Sequence, residues 1–277
     1  ALRRALAKSS GNLKVGIINS LANRGDTDCV PAVIASLSDS EPPVAQEAAR
    51  ALGVIATPEC ATALTDALGK ADKASGNHRA VCDGILRCAE AFAAKGNQAE
   101  AVALYDRLRD VPDAAQEVRT AALRGAVLAR GLQEGLPVLA AAVRAEDEAV
   151  FIGALRTARE LEGGDPVTAA LAESLPALSA ERKIQIMQVI GHRGGSVAGP
   201  ALLAEAQAEP EEVRIAALKA LTRLAYSPAL ELIAQLASGE DSALTDAARN
   251  ALAYFPGEDG DAVLVAMARH PEPSARI

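Results

Sequence analysis

The chain has very few aromatic side chains. Its 277 residues include no tryptophan, three tyrosines and three phenylalanines. Proteins that act on nucleobases stack the base on aromatic or apolar side chains, and here the six aromatic residues are scattered. The net charge of −8 and the pI of about 5.1 also lack the dominant basic field of a nucleic-acid-binding protein. Both observations argue against a nucleic-acid partner.

Histidine and cysteine are equally sparse. The histidines are His78, His192 and His270, and none has a second histidine three or four residues away. The four cysteines form no Cys-x-x-Cys pair, so no zinc or haem motif is present. We interpret His192 as a cation at a helix C-terminus, where the helix dipole favours it. We predict no metal, no cofactor and no catalytic residue.

The cysteines are predicted to be free thiols. Cys29 and Cys60 fall at matching places in two successive repeats. Stacked helices lie about 8–10 Å apart, whereas a disulfide usually needs Cα atoms within about 7 Å. Buried thiols behave as small hydrophobic side chains. Reduced cysteines suit the cytoplasm, but they do not exclude an exported, periplasmic protein.

Three further signatures are missing. We find no apolar run of about 20 residues, and therefore predict no membrane insertion. Gly191–Gly199 is rich in glycine, but no strand precedes it and no Lys-Ser/Thr follows, so we interpret it as a turn between helices. No alternating apolar and polar run flanked by turns indicates a strand.

What the chain does contain is an internal repeat. Val213–Leu221 (Val-Arg-Ile-Ala-Ala-Leu-Lys-Ala-Leu) is its clearest copy, and Val118–Ala126 and Val44–Gly53 resemble it. One apolar position recurs every 30 to 37 residues, at Ile18, Ala49, Leu86, Leu123, Leu155, Met187, Leu218 and Ala248. Fixed-period self-similarity is the signature of a repeat architecture.

Each repeat holds two apolar stripes with helical spacing. In the seventh, Leu202, Leu203 and Ala206 form the first stripe, and the second runs from Val213 to Leu224. Abundant alanine favours helices and leaves thin helix pairs, which must stack on neighbouring pairs to bury a core. The sequence therefore predicts an all-α protein of about eight helix pairs, with residues 1–277 forming one array.

The pattern resembles HEAT repeats, specifically their short bacterial type. The resemblance rests on the Ala-Ala-x-x-Ala-Leu-Gly second helices, the Val-Arg helix starts and the acidic turns. Basic residues match the family's position after the valine at Lys14, Arg119, Lys183, Arg214 and Arg276. Turn acids match at Asp39, Asp147 and Asp241, whereas Ala45, Cys82 and Phe151 depart from the basic position. The segment 89–105 instead resembles a tetratricopeptide junction.

The resemblance implies a right-handed α-α superhelix that serves as a scaffold, with the second helices on the concave side. One basic column would then line that side, at Arg50, Arg87, Arg124, Arg156, Lys219 and Arg249. We predict that the column binds an acidic segment of a protein partner or of the parent chain. The competing interpretation is a solvated face with local ion pairs, because Glu47 and Asp246 precede Arg50 and Arg249 by three residues.

The expected function is a non-catalytic protein-interaction scaffold. Two alternatives stay open: an accessory segment of a multidomain bacterial enzyme whose catalytic domain lies elsewhere, and a HEAT-type enzyme such as a chromophore lyase. The chain begins without methionine, and its last residues, 273–277, resemble the start of another second helix. We expect it to be part of a longer protein.

Overall fold

The computed structural model describes residues 1–70, 75–111, 114–240 and 242–269. Within these ranges the chain forms sixteen α-helices and no strand. The chain divides into two compact units, an N-terminal unit of residues 1–139 and 147–154 and a C-terminal unit of residues 140–146 and 155–277. His270, Asp241 and Arg276 lie outside the described residues.

The helices alternate as first and second members of successive pairs. They are α1 Leu2–Leu6, α2 Gly11–Asn23, α3 Val30–Ala35, α4 Pro42–Ile55, α5 Pro58–Leu68, α6 Gly76–Ala94, α7 Gln98–Arg109, α8 Gln116–Val143, α9 Glu148–Glu160, α10 Gly164–Ser174, α11 Ala180–Arg193, α12 Gly199–Glu205, α13 Glu211–Arg223, α14 Leu230–Ala237, α15 Ala243–Ala253 and α16 Glu258–Ala268. Because α8 supplies two helices, the described elements make eight pairs followed by α16.

Second helices stack on one another within each unit. In the N-terminal unit α4 packs against both α2 and α6, and in the C-terminal unit α13 packs against both α11 and α15. Second helices also pack on their own first helices, as α6 does on α5 and α13 on α12. This arrangement confirms the predicted all-α, HEAT-like repeat fold.

The predicted apolar column forms the core of the repeats, with one exception. Ile18, Ala49, Met187, Leu218 and Ala248 are fully buried. Leu123 and Leu155 are also buried, at 2% and 6% exposure.

At Leu86 the prediction was wrong by one residue. Leu86 is half-buried, and Ile85 takes the buried position. The reason is a close crossing of α4 and α6, which turns Gly84, Ile85 and Cys88 inward.

This crossing depends on two glycines. A Cβ atom built on Gly84 would lie 2.5 Å from the carbonyl oxygen of Ala49. One built on Gly53 would lie 2.7 Å from the carbonyl oxygen of Gly84. Contacts this short leave no room for a side chain, so the two backbones touch directly at this point.

The longest helix, α8, is a helical hairpin. Gln116–Val143 has 28 residues and is apolar enough, by length and composition, to cross a membrane. However, Gly131 has φ 68° and ψ −176°, which no helical residue adopts. A Cβ atom on Gly135 would lie 2.4 Å from the carbonyl oxygen of Val127. In a straight helix these two residues would be about 12 Å apart, so the chain reverses at Gly131, and neither half has the ~20 residues of a membrane-spanning helix.

Two aspartates tie neighbouring repeats together in the N-terminal unit. Lys14 Nζ lies 2.6 Å from Oδ2 of Asp39, and a guanidinium nitrogen of Arg119 lies 2.6 Å from Oδ2 of Asp147. The other oxygen of Asp147 accepts a hydrogen bond from the amide of Ala149 at the start of α9. Turn acids and basic residues that match the family pattern therefore form ion pairs at these two turns.

The series of ion pairs is interrupted where the sequence departs from the family pattern. Ala45, Cys82 and Phe151 occupy the basic position in their repeats, and all three are buried apolar side chains. In the C-terminal unit Lys183 pairs with Glu205 at 2.9 Å. In these repeats the residue at the basic position therefore either forms an ion pair or packs into the core.

Stability should fall in acid through Asp39 and Asp147. Their hydrogen bonds from Lys14 and Arg119 hold the pKa of both carboxyls below the usual value. A lowered pKa in the folded state stabilises the fold above the unfolded-state pKa of about 3.9, and this contribution is lost as the pH falls through the folded-state pKa. Urea unfolding at pH 7 and pH 3 should show a smaller pH effect in the double variant Asp39→Asn/Asp147→Asn than in the wild type. Equal pH effects in the two proteins would contradict the assignment.

Candidate functional site

The predicted basic column begins on the second helices of the N-terminal unit. Arg50 on α4, Arg87 on α6 and Arg124 on α8 all have exposed side chains. Arg87 stands beside the α4–α6 crossing, because its Cβ atom is 3.1 Å from a Cβ built on Gly53. Since Gly53 lies one helical turn after Arg50, the structure brings Arg50 and Arg87 onto adjacent helices.

Local acids contact part of this column. A guanidinium nitrogen of Arg50 lies 3.5 Å from a carboxyl oxygen of Glu47, with the arginine side chain 45% exposed. Arg124 lies near the buried Tyr105, whose pKa is raised by burial and by Glu90, with Arg124 opposing the shift. Exposed pairs of this kind contribute only about 0–1 kcal/mol, and the pair at Arg50 leaves much of that guanidinium accessible.

In the C-terminal unit the column members differ in environment. Arg156 on α9 and Lys219 on α13 are exposed. Arg249 on α15 is half-buried, and its Nε donates a hydrogen bond of 3.2 Å to the carbonyl oxygen of Ala237. A second nitrogen of Arg249 lies 3.8 Å from Asp246. Arg249 therefore has a role within the fold, satisfying a carbonyl at the C-terminal end of α14.

The same capping recurs at other arginines of the C-terminal unit. Arg214 Nε donates a hydrogen bond to the carbonyl oxygen of Ala206 at the end of α12, at 3.1 Å. Arg182 donates to the carbonyl oxygens of Ala145 and Glu146. Helix C-termini leave carbonyl groups without intrahelical partners, and arginine is well suited to bind them.

Two grooves flank α13, and the sequence prediction missed both. The first, between α13 and α15, is a cavity of about 680 Å³. The second, between α11 and α13, is a cavity of about 330 Å³. Ile215, Lys219 and Arg223 line both. These three residues follow one another at intervals of four, which places them on one face of α13.

Of the residues that line these grooves, only Lys219 was predicted as a site residue. Ile215 and Arg223 could have been recognised from the sequence, because they stand four residues before and four residues after Lys219. Tyr254, at the end of α15, has no such signal, yet it is 78% exposed and lines the larger groove. The depth of a groove between two helices depends on how closely the helices pack. The residues of one helix alone do not determine that distance.

A third cavity, of about 700 Å³, lies at the ends of α9 and α11. Arg159, His192 and Arg193 line it, together with Gly163 and Gly164. His192 and Arg193 occupy the last turn of α11, where the helix dipole favours cations, as predicted for His192. Arg193 donates a hydrogen bond to the carbonyl oxygen of Ala158, and burial lowers the pKa of its guanidinium. The positions of these side chains are accounted for by the two helix ends.

The remaining candidate chemistry is buried. All four cysteines are free and buried, as predicted. Burial raises the pKa of Cys82 to about 11 and that of Cys88 to about 12, so both are neutral thiols at pH 7. His78 is buried, with its Nδ1 3.9 Å from Sγ of Cys82. Within the described ranges no three His, Cys, Asp or Glu side chains come together as metal ligands.

The glycine-rich segment after α11 is a turn, as predicted. Gly194 and Gly195 have φ of 81° and 92°, in the left-handed region that favours glycine. They end α11, and α12 begins at Gly199.

Comparisons with known proteins identify the type of repeat. Residues 1–81 match the family described as HEAT repeats. No match was found among curated proteins. Among solved structures, human deoxyhypusine hydroxylase in complex with glycerol is 19% identical, with a TM-score of 0.40 and coverage of 92% of this chain and 94% of that one.

A structure concerning a phosphorylation switch in the interaction between cadherin and β-catenin is 16% identical, with a TM-score of 0.39. It is matched over 97% of this chain, which spans only 62% of that one. At these TM-scores neither likeness bears on function. The match over residues 1–81, together with the paired and stacked helices that continue after it, supports a HEAT-like repeat protein.

Proposed function

We propose that the chain is a non-catalytic protein-interaction scaffold, which binds an acidic partner through the exposed face of its second helices. The observation that carries the proposal is the exposure of five of the six column side chains. Arg50, Arg87, Arg124, Arg156 and Lys219 are exposed although the chain as a whole carries a net charge of −8. The resemblance to HEAT repeats implies that second helices of this kind present their exposed face on the concave side.

The burial of the thiols supports the non-catalytic role. The thiols of Cys82 and Cys88 are buried and have raised pKa values, whereas a reactive cysteine needs an accessible thiolate. The three cavities contain no cysteine and no serine, and threonine only at Thr222, whose hydroxyl donates to the carbonyl oxygen of Leu218. The acidic net charge supports a protein partner over a nucleic acid.

Charge reversal on the column should slow partner binding. The variant Arg50→Glu/Arg87→Glu/Arg156→Glu changes three exposed cations on second helices. The matched control, Arg4→Glu/Lys70→Glu/Arg107→Glu, changes the net charge equally, at exposed positions outside the second helices. Electrostatic steering acts mainly on the association rate and weakens with salt. We therefore expect an association rate at least tenfold lower at 50 mM salt for the column variant alone.

The measurement has two stages. Immobilised full chain, column variant and control variant are each exposed to lysate of the source cells, and retained proteins are identified by mass spectrometry. The association rate of the retained protein is then measured by surface plasmon resonance at 50 and 500 mM salt. A partner retained by the wild type and the control but lost by the column variant supports the proposal. Equal rates for all three chains would mean that the column is only a solvated helix face.

A further inference from the structure

The exposed face of α13 combines positive charge with a groove on each side. Lys219 and Arg223 stand on the ridge between the grooves, one helical turn apart, and Ile215 precedes them by another turn. A ligand that crosses this helix would contact the two cations at its centre and one groove on each side.

The larger groove, between α13 and α15, has a mainly apolar lining. Ile215, Ala247, Ala251 and Pro256 line it, and Tyr254 stands at its end. At 78% exposure, Tyr254 is the most exposed of the large hydrophobic side chains in the described ranges. Large aromatic side chains are enriched at protein interfaces and in their energetic centres. This groove is therefore suited to an apolar side chain of a partner.

The smaller groove, between α11 and α13, has a mixed lining, with Gln188, His192 and Glu212 beside its apolar residues. Ile184, Met187, Ala216 and Ala220 contribute to it. The side chain of Arg223 lies over Gly191 of α11, with its Cδ 3.2 Å from the position of a Cβ on that glycine. The absence of a side chain at Gly191 lets the guanidinium lie along this groove.

The charge balance of the ridge is positive. The acidic residue that lines the larger groove is Asp246. It lies 3.8 Å from Arg249, whose positive charge offsets that of the carboxylate. Glu212 lines the smaller groove at the opposite end of α13 from Arg223. Lys219 and Arg223 thus form a local positive centre within an acidic chain.

We propose that α13 binds a short acidic segment of a partner protein, in an extended conformation, with two apolar residues three positions apart. The acidic residues would contact Lys219 and Arg223, and one apolar residue would enter each groove. Neighbouring helices are about 8–10 Å apart, and three residues of polyproline II conformation span about 9 Å with their side chains on the same side. The larger groove takes the larger of the two side chains. This inference rests on the proposed scaffold function and specifies its ligand.

A peptide-display selection tests the inference while the partner is still unidentified. Random twelve-residue peptides are selected on the full chain, and the enriched peptides are then tested on the variant Lys219→Glu/Arg223→Glu. We expect the enriched peptides to share acidic residues between two apolar residues three positions apart. Circular dichroism of the variant should show intact helices, because both substituted side chains are exposed.

Binding of the selected peptide is then measured through a single tryptophan. The chain has no tryptophan, so Tyr254→Trp gives a fluorescence signal that comes only from the end of the larger groove. In this background we expect Lys219→Glu/Arg223→Glu to weaken binding at least tenfold at 50 mM salt. Ala247→Arg, which fills the larger groove and not the smaller one, should also weaken binding. If the larger apolar residue of the peptide is replaced by alanine, Ala247→Arg should no longer have an effect. The control Arg4→Glu/Arg107→Glu should have no effect.

Three results would overturn the inference. These are no enrichment, an enriched sequence without acidic residues, and binding that Lys219→Glu/Arg223→Glu leaves unchanged. A partner retained in the lysate experiment but unaffected by changes at Lys219 and Arg223 would refute this inference and leave the scaffold function standing. A peptide that binds at α13, with no partner retained from lysate, would refute the scaffold function alone.

Discussion

The substitution Leu218→Asp should unfold the repeats around α13. Leu218 is completely buried, and α13 packs against α11, α12 and α15. An aspartate there would be an unpaired charge in an apolar core, which costs about 3–5 kcal/mol. In a repeat protein stability is approximately a sum over repeats and their interfaces, so the loss should stay local. Hydrogen exchange should show lost protection in α11, α13 and α15, with protection kept in α2, α4 and α6.

The neighbouring residue gives a matched control. Lys219 follows Leu218 in the same turn of α13 but is exposed, so Lys219→Asp introduces the same residue into the same helix. Exposed substitutions usually change stability by less than about 1 kcal/mol. If Leu218→Asp melts like the wild type, or if Lys219→Asp is equally destabilising, then the assignment of the buried face of α13 is wrong.

The buried faces of the helices could be predicted from the sequence, because equivalent positions are buried in successive repeats. Positions such as Ile18, Met187 and Leu218 recur at a nearly constant interval and lie on stripes with helical spacing, so each copy supports the others. Leu86 shows where this reasoning ends. The rotation of α6 follows from a backbone contact at Gly53 and Gly84, and glycine carries no hydrophobic signal that a periodicity would detect.

The side-chain contacts of the basic column could not be predicted in the same way. The repeat spacing predicts that Arg249 is equivalent to Arg156 and Lys219. In the structure, however, Arg249 lies against the end of α14. An arginine side chain is long enough to bind a carbonyl on the neighbouring helix or to extend into solvent. Which of these it does depends on whether a helix ends within reach, and helix ends are the least regular feature of these repeats.

The two grooves beside α13 also arise from three-dimensional packing. Lys219 was found because it belongs to a repeated column, whereas Tyr254 lies beyond the end of α15, where the repeat pattern stops. The candidate interface therefore combines repeated residues, which determine the positive charge, with residues specific to one repeat, which determine the shape. Only the first kind can be recognised from periodicity.

The α4–α6 crossing should not tolerate even one additional methyl group. A Cβ atom at Gly84 would lie 2.5 Å from the backbone oxygen of Ala49 and 3.1 Å from Cδ2 of Leu64. The first contact is with backbone, so a rotamer change cannot relieve it, and the helices must separate. Overpacking of this kind costs about 1–3 kcal/mol. The gain of about 1 kcal/mol in helix propensity from glycine to alanine only partly offsets it.

Gly16 on α2 separates these two effects. It is exposed within a helix of the same unit, and a Cβ atom built on it has nothing within 4 Å. Gly16→Ala should therefore stabilise the N-terminal unit by up to about 1 kcal/mol, through helix propensity alone. Urea unfolding monitored by circular dichroism should move the midpoint upward for Gly16→Ala and downward for Gly84→Ala. An upward shift for both would mean that α4 and α6 do not touch at Gly84, and that small side chains there serve only to keep the core thin.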